Sequence, residues 1–270
     1  MAEYPFDGGV LYYEGQGKGD PILFIHGVTM SCRFFARQID WFARHDYHAL
    51  ALDLRGHGRS SKVMRGHTIP TYAQDVHAFI EDRGLKNVTL VGWSMGAFVM
   101  WDYIRQFGTD NLKASIVIDE AATDYKWPGY DHGFAETVEN VAGNVNAIQT
   151  DWHGFIREFS ASMFATHPSE EDARWMFDEI SRVPPVIAST ILTDEIFRDY
   201  RDFLTTLDLP TLICGGRAPC LAITVAALED VRERIKGSKL EIFENSGHCP
   251  FLEETDKFNK TVHNFLEGLD

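Results

Sequence analysis

The chain is poor in what several common chemistries require. Its four cysteines, Cys32, Cys214, Cys220 and Cys249, form no C-x-x-C pair and show no zinc spacing, so neither a disulfide framework nor a structural zinc site is expected. No H-E-x-x-H motif and no phosphate-binding loop occurs, and no metal or cofactor is expected. The glycines of GQGKGD (15–20) precede an apolar run instead of opening a helix, which makes that stretch a turn and not a dinucleotide fingerprint. No apolar run approaches the ~18 residues of a membrane span. Positive charge is scarce as well. Against 40 Asp and Glu stand 25 Lys and Arg, a net charge of −15 over 270 residues, which argues against nucleic acid and anionic membranes as partners. The first ten residues, MAEYPFDGGV, have neither a basic start nor an apolar core, and a cytoplasmic location is expected.

What is present is a rhythm. Short apolar runs at 21–27, 48–54, 88–93, 114–119, 210–216 and 239–244 alternate with helical patterns. Runs apolar on both faces suit parallel strands covered by helices on both sides. Tyr72, Val76, Phe79 and Ile80 recur at helical spacing, as do Phe258, Val262, Phe265 and Leu266. The alternation predicts an α/β fold with a doubly wound, mostly parallel sheet. Between 122 and 207 the rhythm stops. That interval is rich in aromatics, and over 122–206 it holds 15 acidic against 6 basic residues. It predicts a helical cap with an acidic exterior, inserted into a core of residues 1–121 and 208–270.

One serine stands out. In LVGWSMGAF (90–98) the pattern G-x-S-x-G follows an apolar run and precedes a helical pattern. A serine hydroxyl becomes a nucleophile only when a base removes its proton and the oxygen is held exposed. An abrupt strand-to-helix turn does the second, and crowding in such a turn requires glycine on either side. Ser94 is therefore the candidate nucleophile. His248 follows the last apolar run, in a Ser-Gly loop before the final amphipathic helix, and is the candidate base. The amides of Met95, directly after the serine, and Val28, after the first apolar run, are candidates for an oxyanion hole. His26 is expected to shape its loop and not to carry protons. Trp127, with Tyr130 and His132, opens the cap, and Trp127 and Trp93 are candidate walls of the substrate pocket.

LFIHGVTMS (23–31), LALDLRGHGRSS (50–61), LVGWSMGA (90–97) and IFENSGHCPFLEE (242–254) together resemble the α/β-hydrolase superfamily, in its motif order. The closest likeness is to its small cofactor-free esterases, lactonases and perhydrolases, the non-haem haloperoxidase-like group. The resemblance implies an eight-stranded sheet, a cap between strands 6 and 7, and a Ser–acid–His triad. It also implies a small ester or lactone as substrate, with perhydrolase activity or a ligand sensor on the same scaffold as alternatives. The acid departs from the usual pattern. In GGRAPCLAI (215–223), Ala218 and Pro219 stand where most of the family has a carboxylate. A minority places it at the end of the preceding strand, which here reads ASIVIDEAAT (114–123) and offers Asp119. Glu120 is the alternative, and a Ser–His dyad is the third reading.

Overall fold

Residues 2–269 are described by a computed structural model. The strands are β1 (Ala2–Phe6), β2 (Gly9–Gln16), β3 (Asp20–Ile25), β4 (Tyr47–Leu52), β5 (Val88–Trp93), β6 (Leu112–Ile118), β7 (Thr211–Gly216) and β8 (Lys239–Phe243). They form one sheet in the order β1-β2-β4-β3-β5-β6-β7-β8. Pairing is parallel from β4 through β8, and antiparallel only where β2 meets β1 and β4. The six apolar runs of the sequence are β3 to β8. The remaining two strands form an edge hairpin, and the alternating half-buried and exposed residues of β1 kept it from reading as an apolar run. The GQGKGD stretch turns sharply after β2. Gly17 and Gly19 take φ of 80° and 117°, and a Cβ on Gly19 would stand 1.8 Å from the Asp46 carbonyl oxygen.

Helices cover both faces. Those of the core are α1 (Ala36–Ala43), α2 (Ile69–Asp82), α3 (Met95–Phe107), α9 (Val225–Arg234), the short α10 (Pro250–Glu253) and α11 (Thr255–Glu267). The expected stripes are the buried ones: Tyr72, Val76, Phe79 and Ile80 of α2 pack on one face with α3 and α9. Phe258, Val262, Phe265 and Leu266 of α11 pack on the other with α1. Each such aromatic or aliphatic side chain taken from water stabilises the fold by about 1.5–3 kcal/mol. No helix among the described residues is long and apolar enough to cross a membrane.

Between β6 and β7 run α4 (Val138–Thr150), α5 (Trp152–Ser162), α6 (Glu170–Ile180), α7 (Pro185–Ile196) and α8 (Arg201–Leu204). α4 packs on α7 and α5 on α6, and α7 reaches α2 of the core. The expected acidic exterior of this segment is incomplete. Asp124, Glu179 and Glu195 are each only 2% exposed. Glu179 is accounted for by Ser31 Oγ, which donates to it at 2.8 Å, and by the Arg33 guanidinium at 3.3 Å. Charge counting cannot tell a carboxylate that faces water from one that faces inward.

Candidate active site

The G-x-S-x-G pattern is a steric necessity. Gly92 ends β5 against the first turn of α3, where a Cβ would meet the Gly96 carbonyl oxygen at 2.4 Å. A Cβ on Gly96 would fall 2.1 Å from the Ile25 carbonyl oxygen at the end of β3. Between them Ser94 adopts φ 54° and ψ −128°, a conformation that costs a non-glycine residue about 1–3 kcal/mol. From Val88 to Ile104 every residue is buried except Ser94, which is half-buried. The turn lifts one hydroxyl out of the core. Its amide donates to the Ile118 carbonyl at 3.0 Å and its carbonyl accepts from Ala97 at 2.7 Å, so the strained turn is pinned on both sides.

His248 lies in the loop after β8, 2% exposed. Its Nδ1 is 2.7 Å from Asp119 Oδ2, so Nδ1–H donates to the carboxylate and Nε2 keeps the lone pair a base needs. Asp119 stands just past β6 at φ 47°, and its other oxygen accepts from the Gly216 amide at 2.9 Å. Burial pushes the Asp119 carboxyl above the usual carboxylate range, opposed by the His248 hydrogen bond and charge and by the Gly216 N–H. Glycines clear the way here too. A Cβ on Gly215 would lie 3.0 Å from Asp119 Oδ1, and one on Gly216 would lie 2.1 Å from the Gly247 carbonyl oxygen. Ala218 sits beside this junction, its amide donating to the Ser246 carbonyl at 3.0 Å. Glu120 does not approach His248; it turns into the cavity, with one oxygen accepting the Ala121 amide at 2.6 Å.

The histidine loop is held from several directions. The His248 amide donates to the Met163 carbonyl, just after α5, at 2.8 Å. Glu253 accepts the amides of Gly247 at 2.7 Å and Ala165 at 2.9 Å, which ties loop and cap segment together. Phe251 is buried against Phe35, with ring centroids 4.9 Å apart. Trp93 takes part in this support: its indole N–H donates to the His248 carbonyl at 2.9 Å, and it is buried away from the cavity. The structure thus moves Trp93 from pocket wall to scaffold, because the sixth residue of β5 points down into the sheet's far face.

Ser94 and His248 line one cavity of about 210 Å³. Val28 and Glu120 lie on its core side; Phe134, Phe155, Phe159 and Leu192 come from the cap segment. Trp127 is not among the lining residues. Its indole N–H donates to Thr123 Oγ1 at 3.0 Å and its ring packs edge-on against Tyr125 at 5.0 Å. Tyr130 and His132 pair with each other at 5.1 Å and also lie off the cavity. The phenylalanines that do line it carry no local signal; tertiary packing selects them, that of α5 for Phe155 and Phe159 and that of the segment before α4 for Phe134. A larger cavity of about 440 Å³ opens beside Arg33 and Trp175 but includes neither Ser94 nor His248.

Met95 begins α3, where helical N–H groups and the helix dipole favour an anion. Val28 lies on the loop from β3, which presses on the serine: a Cβ on Gly27 would stand 3.1 Å from Ser94 Cβ. His26 staples that loop. Its Nδ1 bonds the Gly27 carbonyl at 2.8 Å and its Nε2 accepts the Leu54 amide at 3.0 Å. Burial lowers its pKa, which keeps the ring neutral.

A family model described as the alpha/beta hydrolase family matches residues 22–261. The AB hydrolase superfamily protein YisY of Bacillus subtilis (strain 168) is 30% identical over 259 residues, covering 94% of each chain. An esterase from Exiguobacterium antarcticum superposes with a TM-score of 0.92 at 28% identity, covering 97% of both chains. A bromoperoxidase from Bacillus anthracis superposes with a TM-score of 0.91 at 26% identity, covering 98% of this chain and 99% of its own.

Proposed function

The chain belongs to the alpha/beta hydrolase family, and we propose that it is a serine hydrolase cleaving a carboxylic ester or lactone through an acyl-serine intermediate. One observation carries the reading: the half-exposed Ser94 shares a cavity with His248, whose Nδ1 is bonded to the buried Asp119 carboxylate at 2.7 Å. In this mechanism His248 Nε2 takes the Ser94 proton as Oγ attacks the substrate carbonyl. The amides of Val28 and Met95 receive the oxyanion. Asp119 holds the imidazole in the required tautomer and stabilises its cationic form. His248 then protonates the departing alkoxide, which remains tethered if the substrate is a lactone. Water deprotonated by the same histidine releases the acid. Residues 122–207 act as a lid whose phenylalanines select the acyl group.

The likeness to a bromoperoxidase favours a second reading, in which hydrogen peroxide replaces water in the last step and a peracid leaves. Both readings need the same acyl-serine. Labelling with a fluorophosphonate and mapping the peptides should mark Ser94, and Ser94→Ala should abolish cleavage of p-nitrophenyl acetate. A label on another serine, or none on folded protein, would sink the nucleophile and favour a ligand sensor. Monochlorodimedone bromination with peroxide, acetate and bromide, in which the peracid oxidises bromide, separates peracid formation from hydrolysis.

A further inference from the structure

Three carboxyl groups meet in the cavity that holds Ser94 and His248, and no step of ester cleavage uses them. Glu120 follows Asp119 past the end of β6, Asp124 lies four residues on, and Glu195 comes from the last turn of α7. All three line the cavity and are 2% exposed, and one oxygen of each lies within 4.8 Å of the others. Glu120 and Asp124 face one another as hydrogen-bond partners. Glu195 Oε2 has no hydrogen-bond partner among the described residues. A buried carboxyl oxygen without a partner is costly, and such a group asks for a ligand.

We propose that Glu120, Asp124 and Glu195 form a subsite for a primary ammonium group, so that the ester or lactone taken here carries a basic nitrogen. The inference rests on the hydrolase reading for the identity of the substrate, but the subsite itself can be tested without turnover. The geometry suits an ammonium. Three N–H···O bonds of about 2.8 Å at tetrahedral angles place their acceptors ~4.6 Å apart, within the observed spread. Phe134, Phe155 and Phe159 line the same cavity, and ring faces add to the binding of an organic cation. Leu192, Leu221 and Ile223 complete walls that suit a hydrocarbon stem. A hydrated divalent ion would instead require several further oxygens. No lysine or arginine is among the residues lining the cavity. The charged groups behind the cluster do not neutralise it: Asp194 adds to the negative potential at Glu195 and is itself paired with Arg198.

Burial and the crowding of like charges favour the protonated forms of these carboxyls. Burial and the charge of Asp124 push Glu120 and Glu195 well above the usual carboxylate range, and burial raises Asp124 to about 7. A cation that enters takes the place of those protons, so the test is run at pH 8. Ser94→Ala protein is titrated calorimetrically with n-butylammonium chloride and, as the neutral match, 1-butanol. The ammonium should bind at least tenfold more tightly, and Glu195→Gln in the same background should reduce the ratio to threefold or less. Equal binding of amine and alcohol overturns the subsite, as does an unchanged ratio in the variant. Calcium or magnesium chloride binding more tightly than the amine, and lost in Glu195→Gln, also overturns it and makes the cluster a metal site. Should Glu195→Gln fail to fold, Asp124→Asn carries the same expectation, and the amine–alcohol ratio stands without either. Ammonium binding in a wild-type protein that cleaves no ester would support the subsite while sinking the hydrolase reading.

Discussion

Ser94 and Glu195 face the same cavity but reach it by different routes. Ser94 is delivered by the backbone: two glycines whose missing Cβ atoms would collide with main-chain oxygens at 2.4 and 2.1 Å leave the chain one way to turn. Glu195 is delivered by packing. Its helix, PVIASTILTDEI, is apolar around most of its circumference and buries seven residues, the glutamate among them. Nothing local in that helix says which side meets the cavity. The core side of the site is therefore written in short-range sterics, and the cap side in long-range contacts. Variants on the two sides should fail differently: the first in turnover, the second in selectivity or stability.

The largest effect is expected on the core side, at Asp119. Replacing a triad acid by its amide costs about 10⁴ in turnover in serine proteases, and Asp119→Asn should lose a similar factor of p-nitrophenyl acetate cleavage while melting as the wild type does. A greater loss in Glu120→Gln than in Asp119→Asn would break the comparison by moving the acid to the cap-facing carboxylate. Gly96→Ala comes next. Its added Cβ must displace the β3 main chain at Ile25, and a misplacement of about 1 Å at a reacting group costs on the order of 10²-fold. Wild-type rates in Gly96→Ala would show that the turn is looser than its contacts imply.

What could be read from the sequence follows the same division. β5 has the bounds expected from its apolar run, 88–93, because a strand buried on both faces declares itself residue by residue. Asp119 follows from the family resemblance, which implies an acid at the end of this strand in a minority of members; alternation adds only that one of the two neighbouring carboxylates can meet His248, and does not say which. The edge hairpin of β1 and β2 could not be read this way, since its half-exposed residues carry no long apolar run. Trp93 and Trp127 are pocket candidates by residue type and by place in the chain, Trp93 beside the serine and Trp127 where the cap opens. The structure uses both indole N–H groups as anchors, one on the His248 carbonyl and one on Thr123. Phe155 and Phe159, stacked at 5.5 Å on the cavity wall, would need the packing of α5 to be known first.

That contrast gives the third prediction. Phe159→Ala should change the ratio of p-nitrophenyl butyrate to acetate cleavage by roughly tenfold, the scale at which an apolar pocket resolves a methylene or two. Trp127→Ala should lower the melting temperature and leave the ratio alone. The opposite pattern would return Trp127 to the pocket wall.

The smallest effect lies deepest in the cap side, at Asp124, and its sign can be worked out. In the folded protein this carboxyl is raised from 3.8 to about 7 by burial, so folding favours its protonated form. The stability it contributes is fully present below pH 3.8 and is lost as pH rises through about 7. Asparagine carries no charge and keeps a carbonyl oxygen that can accept from Glu120, so Asp124→Asn should remove that loss. The other groups facing the position, Glu120 and Glu195, are themselves raised well above the usual carboxylate range by burial and by the charge of Asp124, and they leave the direction unchanged. Calorimetric melting at pH 5 and pH 8 should show the variant gaining on the wild type by on the order of 5 °C more at the higher pH. A gain that is larger at pH 5 would mean that Asp124 is charged and paired in the folded state. The cap side would then resemble the core side, with its carboxylates held by fixed partners and not waiting for a cation.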